Sequence, residues 1–240
     1  MSVDEKQMYE IQHGQGKCVP HYTFPRLRKL FRRFDVHRED LVLGLLDGGD
    51  RFLDVGCGSG SLVFRAREKY QEAYGVDISE FCIREAEERK RERFGESAPI
   101  YFSRCNVGAR IEFPDGMFNT VASVAVIEHV FDLYGVVGEI RRVLKRGGIF
   151  VIEVPNIAYL RYRIELFFGR LPVTSTPHNW REVGWDGGHL HYFTKKTLCR
   201  LLDETGFDVV KVTGGGLFGT IRAVYPSLLT GDLCVKARKR

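Results

Sequence analysis

Short apolar runs alternate with segments of helical period along most of the chain. Arg51–Val55, Ala73–Val76, Ile100–Ser103, Thr120–Val126 and Ile149–Val154 read as strands, the last a nearly continuous apolar run of the fully buried kind. Between them Ser61–Tyr70, Glu80–Phe94 and Leu133–Leu144 read as helices, Glu80–Phe94 carrying opposite charges four apart along a solvated face. The spacing also predicts helices at His37–Leu46 and over Leu27, Leu30, Phe31 and Phe34, with Asp47–Asp50 and Arg146–Gly148 as turns. Near the end, Thr194–Thr205 is a helix with Thr194 as N-cap and Gly206 as its stop, and Phe207–Val212 and Leu229–Ala237 close the chain as strands. Helices alternating with short apolar strands predict an α/β fold with a mainly parallel sheet covered on both faces.

One long stretch breaks the alternation. In Asn156–Leu190 an apolar and cationic helix, Tyr159–Phe168, leads into a segment rich in Pro, Gly, Thr and Trp without a clear period. Aperiodic segments of this length inside a domain are usually functional, so residues 156–190 are expected to be a cap inserted into a domain spanning 51–240. Residues 1–50 are expected to be an arm with two helices over the ligand edge of the sheet.

Composition narrows the class only slightly. An apolar content of 44% and a charged content of 28% over 240 residues suit a globular protein with a full core. The net charge of +5 is concentrated at Arg26–Arg33 and Lys236–Arg240, and a solvated helix face accounts for the first, which makes a nucleic-acid partner unlikely. Six scattered cysteines form no CxxC pair and signal neither a zinc site nor a disulfide framework. The polar, acidic start MSVDEKQMYE lacks the character of a secretory signal, and no run of about 18 apolar residues is present, so a cytoplasmic location is expected.

The chemistry centres on RFLDVGCGSGS at Arg51–Ser61. Gly56, Gly58 and Gly60 follow an apolar run ending in Asp54 and precede a helix, an arrangement that lets a ligand lie against bare backbone. Asp77, at the end of the next strand, stands where an acid holds ribose hydroxyls. Ser61 occupies the place of the last glycine of a dinucleotide fingerprint, and Asp54 sets a negative charge where a pyrophosphate would approach. A ligand with an ammonium, a sulfonium and a ribose but no phosphate suits these residues better, and S-adenosylmethionine has that composition.

LDVGCGSG followed by GVDIS resembles the first two signatures of class I S-adenosylmethionine-dependent methyltransferases, and FPDGMFNTVASVAVIEHV and EIRRVLKRGGIFVIEVPN resemble the signatures of the fourth and fifth strands. The resemblance implies a three-layer Rossmann-like fold with a seven-stranded, mostly parallel sheet whose last strand is antiparallel. It also implies that Asp54, Gly56, Cys57, Gly58 and Gly60 line the methionine half of the cofactor, with Val124 beside them, and that Asp77 takes the ribose. Ile78, Asn106 and Val107 would flank the adenine. Asn106 and Asn119 replace aspartates common in the class, which makes the adenine contacts less certain.

PNIAYLRYRIELFFGRLPVTSTPHNW, followed by GGHLHYFTKKTLCRLLDETGF, resembles the cap region of MetW-like proteins and of the related UbiG-like methyltransferases. His129, His189 and His191 are candidate bases, with Glu128, Tyr22 and Tyr192 as positioning groups. Tyr159, Arg163, Trp180, Trp185, Tyr22 and Tyr192 are candidates for holding a flat or acidic small molecule, Arg161 and Tyr162 lying close by in sequence. Metal-dependent relatives carry ExxEH at the end of strand four. Here the stretch is Ala125-Val126-Ile127-Glu128-His129, so the first carboxylate is missing and no metal is expected. The expected function is metal-independent methyl transfer to a small molecule. The alternative is a MetW-like regulatory protein that binds the cofactor and contacts an acyltransferase of methionine synthesis.

Overall fold

The computed structural model describes residues 35–175, 188–217 and 219–240. Seven strands form one sheet: β1 (Gly49–Val55), β2 (Tyr70–Asp77), β3 (Ile100–Arg104), β4 (Phe118–Val124), β5 (Leu144–Pro155), β6 (Phe207–Thr213) and β7 (Asp232–Lys239). Their spatial order is β3-β2-β1-β4-β5-β7-β6. The five strands from β3 to β5 in that order are parallel, while β7 inserts antiparallel between β5 and β6. The expected sheet is therefore present. Chain order runs outward from β1 through β2 to β3 and then restarts at β4 on the other side, so loops leave β1 and β4 in opposite directions and open a crevice at their carboxyl ends.

Helices cover both faces. On one side α1 (Arg38–Leu43) and α2 (Ser61–Ala66) pack Val42, Leu62 and Val63 with Phe52, Ala122, Val151 and Cys234. On the other, α4 (Leu133–Val143) and α6 (Lys195–Glu204) pack Val136, Ile140, Leu198 and Leu202 with Leu53, Val121, Ile152 and Val235. Adjacent residues of β1, β4 and β5 thus enter different layers, which is why these strands read as continuous apolar runs. Helix α3 (Glu80–Phe94) has the bounds its charge pattern predicts, with Arg89 bonded to Glu85 at 2.5 Å and the Ser79 hydroxyl accepting the Cys82 N–H. Thr194 and Thr197 form a reciprocal capping box at the start of α6.

Several boundaries differ from the sequence expectation. The turn expected at Arg146–Gly148 lies inside β5, which pairs with β4 both at Leu144 and from Ile149 onward, and the extra residues are absorbed as an irregularity in which Gly147 has φ 71°. Gly49 and Asp50 belong to β1 rather than to a turn. The last strand starts at Asp232, because Pro226–Leu229 forms a helical turn. The helix expected around Leu27–Phe34 lies outside the described residues.

After β5 the chain leaves the sheet at Asn156 and enters α5 (Leu160–Phe167). Asn156 is fully buried; its amide nitrogen lies within hydrogen-bond reach of the Thr230, Pro226 and Ser227 carbonyls, and its side-chain oxygen accepts the Ala158 N–H. This one side chain ties the exit of β5 to the turn that feeds β7. Replacement by Ala leaves those carbonyls without the donor. Asn156→Ala is expected to destabilise the protein by about 2 kcal/mol, read as a fall in thermal midpoint of about 4–8 °C at this chain length. An unchanged midpoint would show that the tether contributes nothing.

Candidate active site

The glycine loop is shaped by its contacts. Gly56 and Cys57 donate their N–H groups to the Val76 carbonyl, at 2.8 and 2.9 Å, which turns the chain sharply at the end of β1. Gly56 has φ 78°, and a Cβ there would lie 2.2 Å from Val126 Cγ2, so no other residue fits without displacing the loop after β4. Gly58, at φ 51°, faces open space, since nothing lies within 4 Å of where its Cβ would be. The loop is closed on its protein side and open over Gly58, which gives a ligand close access to backbone.

Two buried carboxyl groups flank it. Asp77 Oδ2 accepts the Gly58 N–H at 2.8 Å and Oδ1 accepts the Ser79 N–H at 2.9 Å. Burial pushes the Asp77 carboxyl up, and these N–H groups partly offset the shift. Asp54 is 3% exposed and its Oδ1 has no hydrogen-bond partner; burial, then the charges of Asp77 and Glu39, push its carboxyl up to about 8. Such a group is short of a cation.

A second cluster occupies the carboxyl ends of β4 and β5. Ala125, which follows β4, has φ 55°, the one left-handed non-glycine among the described residues, and its N–H is bonded to the Glu153 carbonyl. The turn that follows carries Glu128 and His129. Glu128 is fully buried, neither carboxyl oxygen has a hydrogen-bond partner, and burial pushes it up to about 8 against the pull of Arg38. Leu190 and His191 lie along this turn, both donating their backbone N–H to the Glu128 carbonyl. His189 Nε2 stands 3.9 Å from Glu128 Oε1, and the His129 and His189 rings meet edge to face at 4.8 Å. His129 Nδ1 donates to the Gly188 carbonyl at 2.6 Å, while His189 Nδ1 is 2.6 Å from the Thr174 hydroxyl.

Arg38, Glu153 and Asp232 adjoin this cluster, and sequence reasoning missed all three. Arg38 Nε is 3.1 Å from Glu153 Oε1, an ion pair without hydrogen-bond alignment, and its Nη2 is 3.8 Å from Asp232. Glu153 is 1% exposed, with its carboxyl pushed well up by burial. A lone acid inside the apolar run of β5 was the available signal for it.

Other expected residues are placed as follows. Cys57 is buried in the loop, and Ile78, Val107 and Val124 are half-buried. Asn106 is exposed and its side-chain oxygen accepts the Gly108 N–H, closing a local turn. Asn119 needs correction as an influence on adenine contacts. It sits near the amino end of β4, accepting the Arg51 N–H and a bond from Lys145, away from the glycine loop. His191 Nε2 donates to the Val130 carbonyl, an anchoring bond. Tyr159 precedes α5 and packs against Tyr162, Arg163 is exposed with Nε donating to the Ala158 carbonyl, Arg161 pairs with Glu165, and Tyr192 is 45% exposed. Tyr22, Trp180 and Trp185 lie outside the described residues. Glu128, His129 and His189 offer one ligand atom each within 4.8 Å of one another, a grouping that the missing carboxylate at Ala125 did not lead one to expect.

A family model for a methyltransferase domain matches residues 21–212. The chain belongs to the methyltransferase domain family. Its fold and relatives make it a class I S-adenosylmethionine-dependent enzyme, with S-adenosylmethionine as cofactor. It is 29% identical over 168 residues to a ubiquinone biosynthesis O-methyltransferase of Methylococcus capsulatus, covering 70% of this chain and 67% of the relative. It is 39% identical over 145 residues to a sterol 24-C-methyltransferase of Aspergillus fumigatus, covering 58% of this chain and 37% of that longer protein. Among solved structures, an S-adenosylmethionine-dependent methyltransferase from Mesorhizobium loti superposes with a TM-score of 0.62 at 21% identity, covering 84% of this chain and 97% of that one.

The methyltransferase's loop fits its cofactor on two counts: the open space over Gly58, and the orphaned carboxyl of Asp54, which matches a ligand bearing positive charge. The second has a measurable consequence. The Asp54 carboxyl is held at about 8, so below that pH a cationic ligand must displace its proton. Affinity for S-adenosylhomocysteine, which keeps the ammonium, is expected to rise between about pH 5.5 and 7.5 by up to about tenfold per unit. Asp54→Asn should weaken binding and flatten the profile. A flat calorimetric profile for the unmodified methyltransferase would refute the assignment.

Proposed function

We propose that this methyltransferase acts on a small-molecule acceptor without a metal, with His129 as the base. Asp54 and the backbone of Gly56, Cys57, Gly58 and Gly60 would hold the methionine half of the cofactor and Asp77 its ribose, with Ile78, Asn106 and Val107 around the adenine and Val124 beside the loop. When bound, S-adenosylmethionine supplies an electrophilic methyl group on a sulfonium. The chain's own residues must then hold the acceptor in line and take its proton.

The observation that carries this reading is the bond from His129 Nδ1 to the Gly188 carbonyl. A carbonyl oxygen only accepts, so Nδ1 carries the proton and Nε2 of the neutral ring is the basic atom. His189 packs against the His129 ring, and its Nε2 stands 3.9 Å from Glu128 Oε1. The residues 156–190 act as the substrate cap, bringing His189 to the turn after β4 and presenting Tyr159, Arg163 and Tyr192 as acceptor contacts. Relatives named for ubiquinone biosynthesis and sterol methylation support a small-molecule acceptor. The regulatory MetW-like alternative gains no support from them.

The metal-free reading rests on the turn after β4, where Ala125 stands in place of the further carboxylate of ExxEH. Transfer of a labelled methyl from the cofactor to a metabolite extract should persist in excess EDTA and fall by about 10²- to 10⁴-fold in His129→Ala, with cofactor binding kept. Activity lost to EDTA and restored by Mg²⁺ or Mn²⁺ would overturn the metal-free reading, and full activity in His129→Ala would remove the base.

A further inference from the structure

We propose that Arg89, in the second half of α3, is a positioning residue for the cofactor: through the Ser59 hydroxyl it fixes the tip of the glycine loop, and so sets the affinity for S-adenosylmethionine and S-adenosylhomocysteine. The inference rests on the placement of the cofactor against residues 56–60 proposed above, and adds to it a residue that lies in neither the loop nor a strand end.

The loop is anchored by its backbone on both sides of its tip. Gly56 and Cys57 are held by the Val76 carbonyl and Gly58 by Asp77 Oδ2, all at the end of β2. Gly60 donates its N–H to the Cys57 carbonyl at 3.0 Å, and its own carbonyl accepts the Phe64 N–H as α2 begins. Ser59 stands between two left-handed glycines, Gly58 at φ 51° and Gly60 at φ 82°. Glycine gives the backbone its widest freedom, so a segment of this kind loses much entropy when a ligand orders it. With no side chain on either neighbour, the Ser59 hydroxyl is the handle by which a distant element can hold the tip. Arg89 Nη1 donates to that hydroxyl at 2.7 Å from 30 positions further along the chain.

The guanidinium is itself held. Its Nη2 is 2.5 Å from Glu85 Oε1, one turn earlier on α3, so two different nitrogens are engaged and the planar group is fixed. Both side chains are 36% exposed, and an i,i+4 pair on a solvated face contributes little to stability by itself. The bond that leaves the helix is the one with a consequence for the loop, and its charged donor makes it stronger than a bond between neutral groups. The same strand and helix also supply the other side of the cofactor's seat. Asp77 ends β2, the Ser79 hydroxyl caps α3 by accepting the Cys82 N–H, and Arg89 follows on that helix. The carboxyl assigned to the ribose and the guanidinium that holds the loop tip are therefore carried by one β2–α3 unit. A loop ordered in advance spares that ordering cost when the cofactor binds.

Calorimetry with S-adenosylhomocysteine on the full chain tests this. Arg89→Ala and Ser59→Ala are each expected to weaken binding by about three- to tenfold. The double variant should lose no more than either alone, because both substitutions remove one bond. Arg89→Lys, which keeps the charge but lacks the fork that meets both partners, should fall between Arg89→Ala and the unmodified protein. Arg93→Ala removes an exposed cation from the same helix and should keep the affinity. Thermal midpoints without ligand should stay together across the set, since a purely structural role would move the midpoint and leave the affinity. The proposal is overturned if Arg89→Ala binds as tightly as the unmodified protein, if the losses of Arg89→Ala and Ser59→Ala add, or if Arg93→Ala weakens binding as much. Gly58→Val separates this proposal from the reading beneath it: its side chain would enter the open face of the loop, and full affinity in that variant would overturn the loop as the cofactor's seat.

Discussion

Carboxyl groups buried at one edge of the sheet are the constraint on which this structure depends. Asp54 and Asp77 stand at the ends of β1 and β2, Glu153 near the end of β5, and Glu128 follows β4. Removing carboxylates from water is expensive, and each responds differently to that cost. Asp77 is stabilised by backbone N–H groups, Glu153 by Arg38, and Asp54 and Glu128 are held largely protonated. The edge thus holds carboxyl oxygens of Asp54, Glu128 and Glu153 without hydrogen-bond partners.

Topology makes the arrangement possible. The restart of the chain at β4 brings the ends of β1 and β4 side by side, so Gly56 packs under Val126 and the turn bearing Glu128 and His129 lies beside the glycine loop. Helix α1 starts at Arg38 and also sends Glu39 to the Ser61 hydroxyl and to Arg65. One short helix therefore touches both the start of α2 and the acidic cluster. Asn156 anchors the exit of β5, and His189 lies beside the turn that carries Glu128.

The local elements were legible in the sequence where local forces decide them. Helix α3 has the limits its Ser79 cap and Gly95 stop indicate, and the glycine spacing of the β1 loop reflects backbone angles that other residues rarely adopt. Asp77 was legible for the same reason, since its place at a strand end is a local fact. Illegible features depend on distant partners. The expected turn at Arg146–Gly148 became part of β5 because β4 offered pairing on both sides of it, and Asn119 proved to serve Arg51 and Lys145.

By itself the sequence determined the alternation of strands and helices, the open glycine loop, the acids beside it and so the class of cofactor, because strand period, helix caps and glycine angles act over a few residues. Only the tertiary structure decided which charges remain unsatisfied. Arg38 lies 115 positions before Glu153 and 90 before Glu128 in the chain, and His189 meets Glu128 from 61 positions further on. Whether a buried carboxyl has a partner depends on distance in space, and sequence separation carries no record of it.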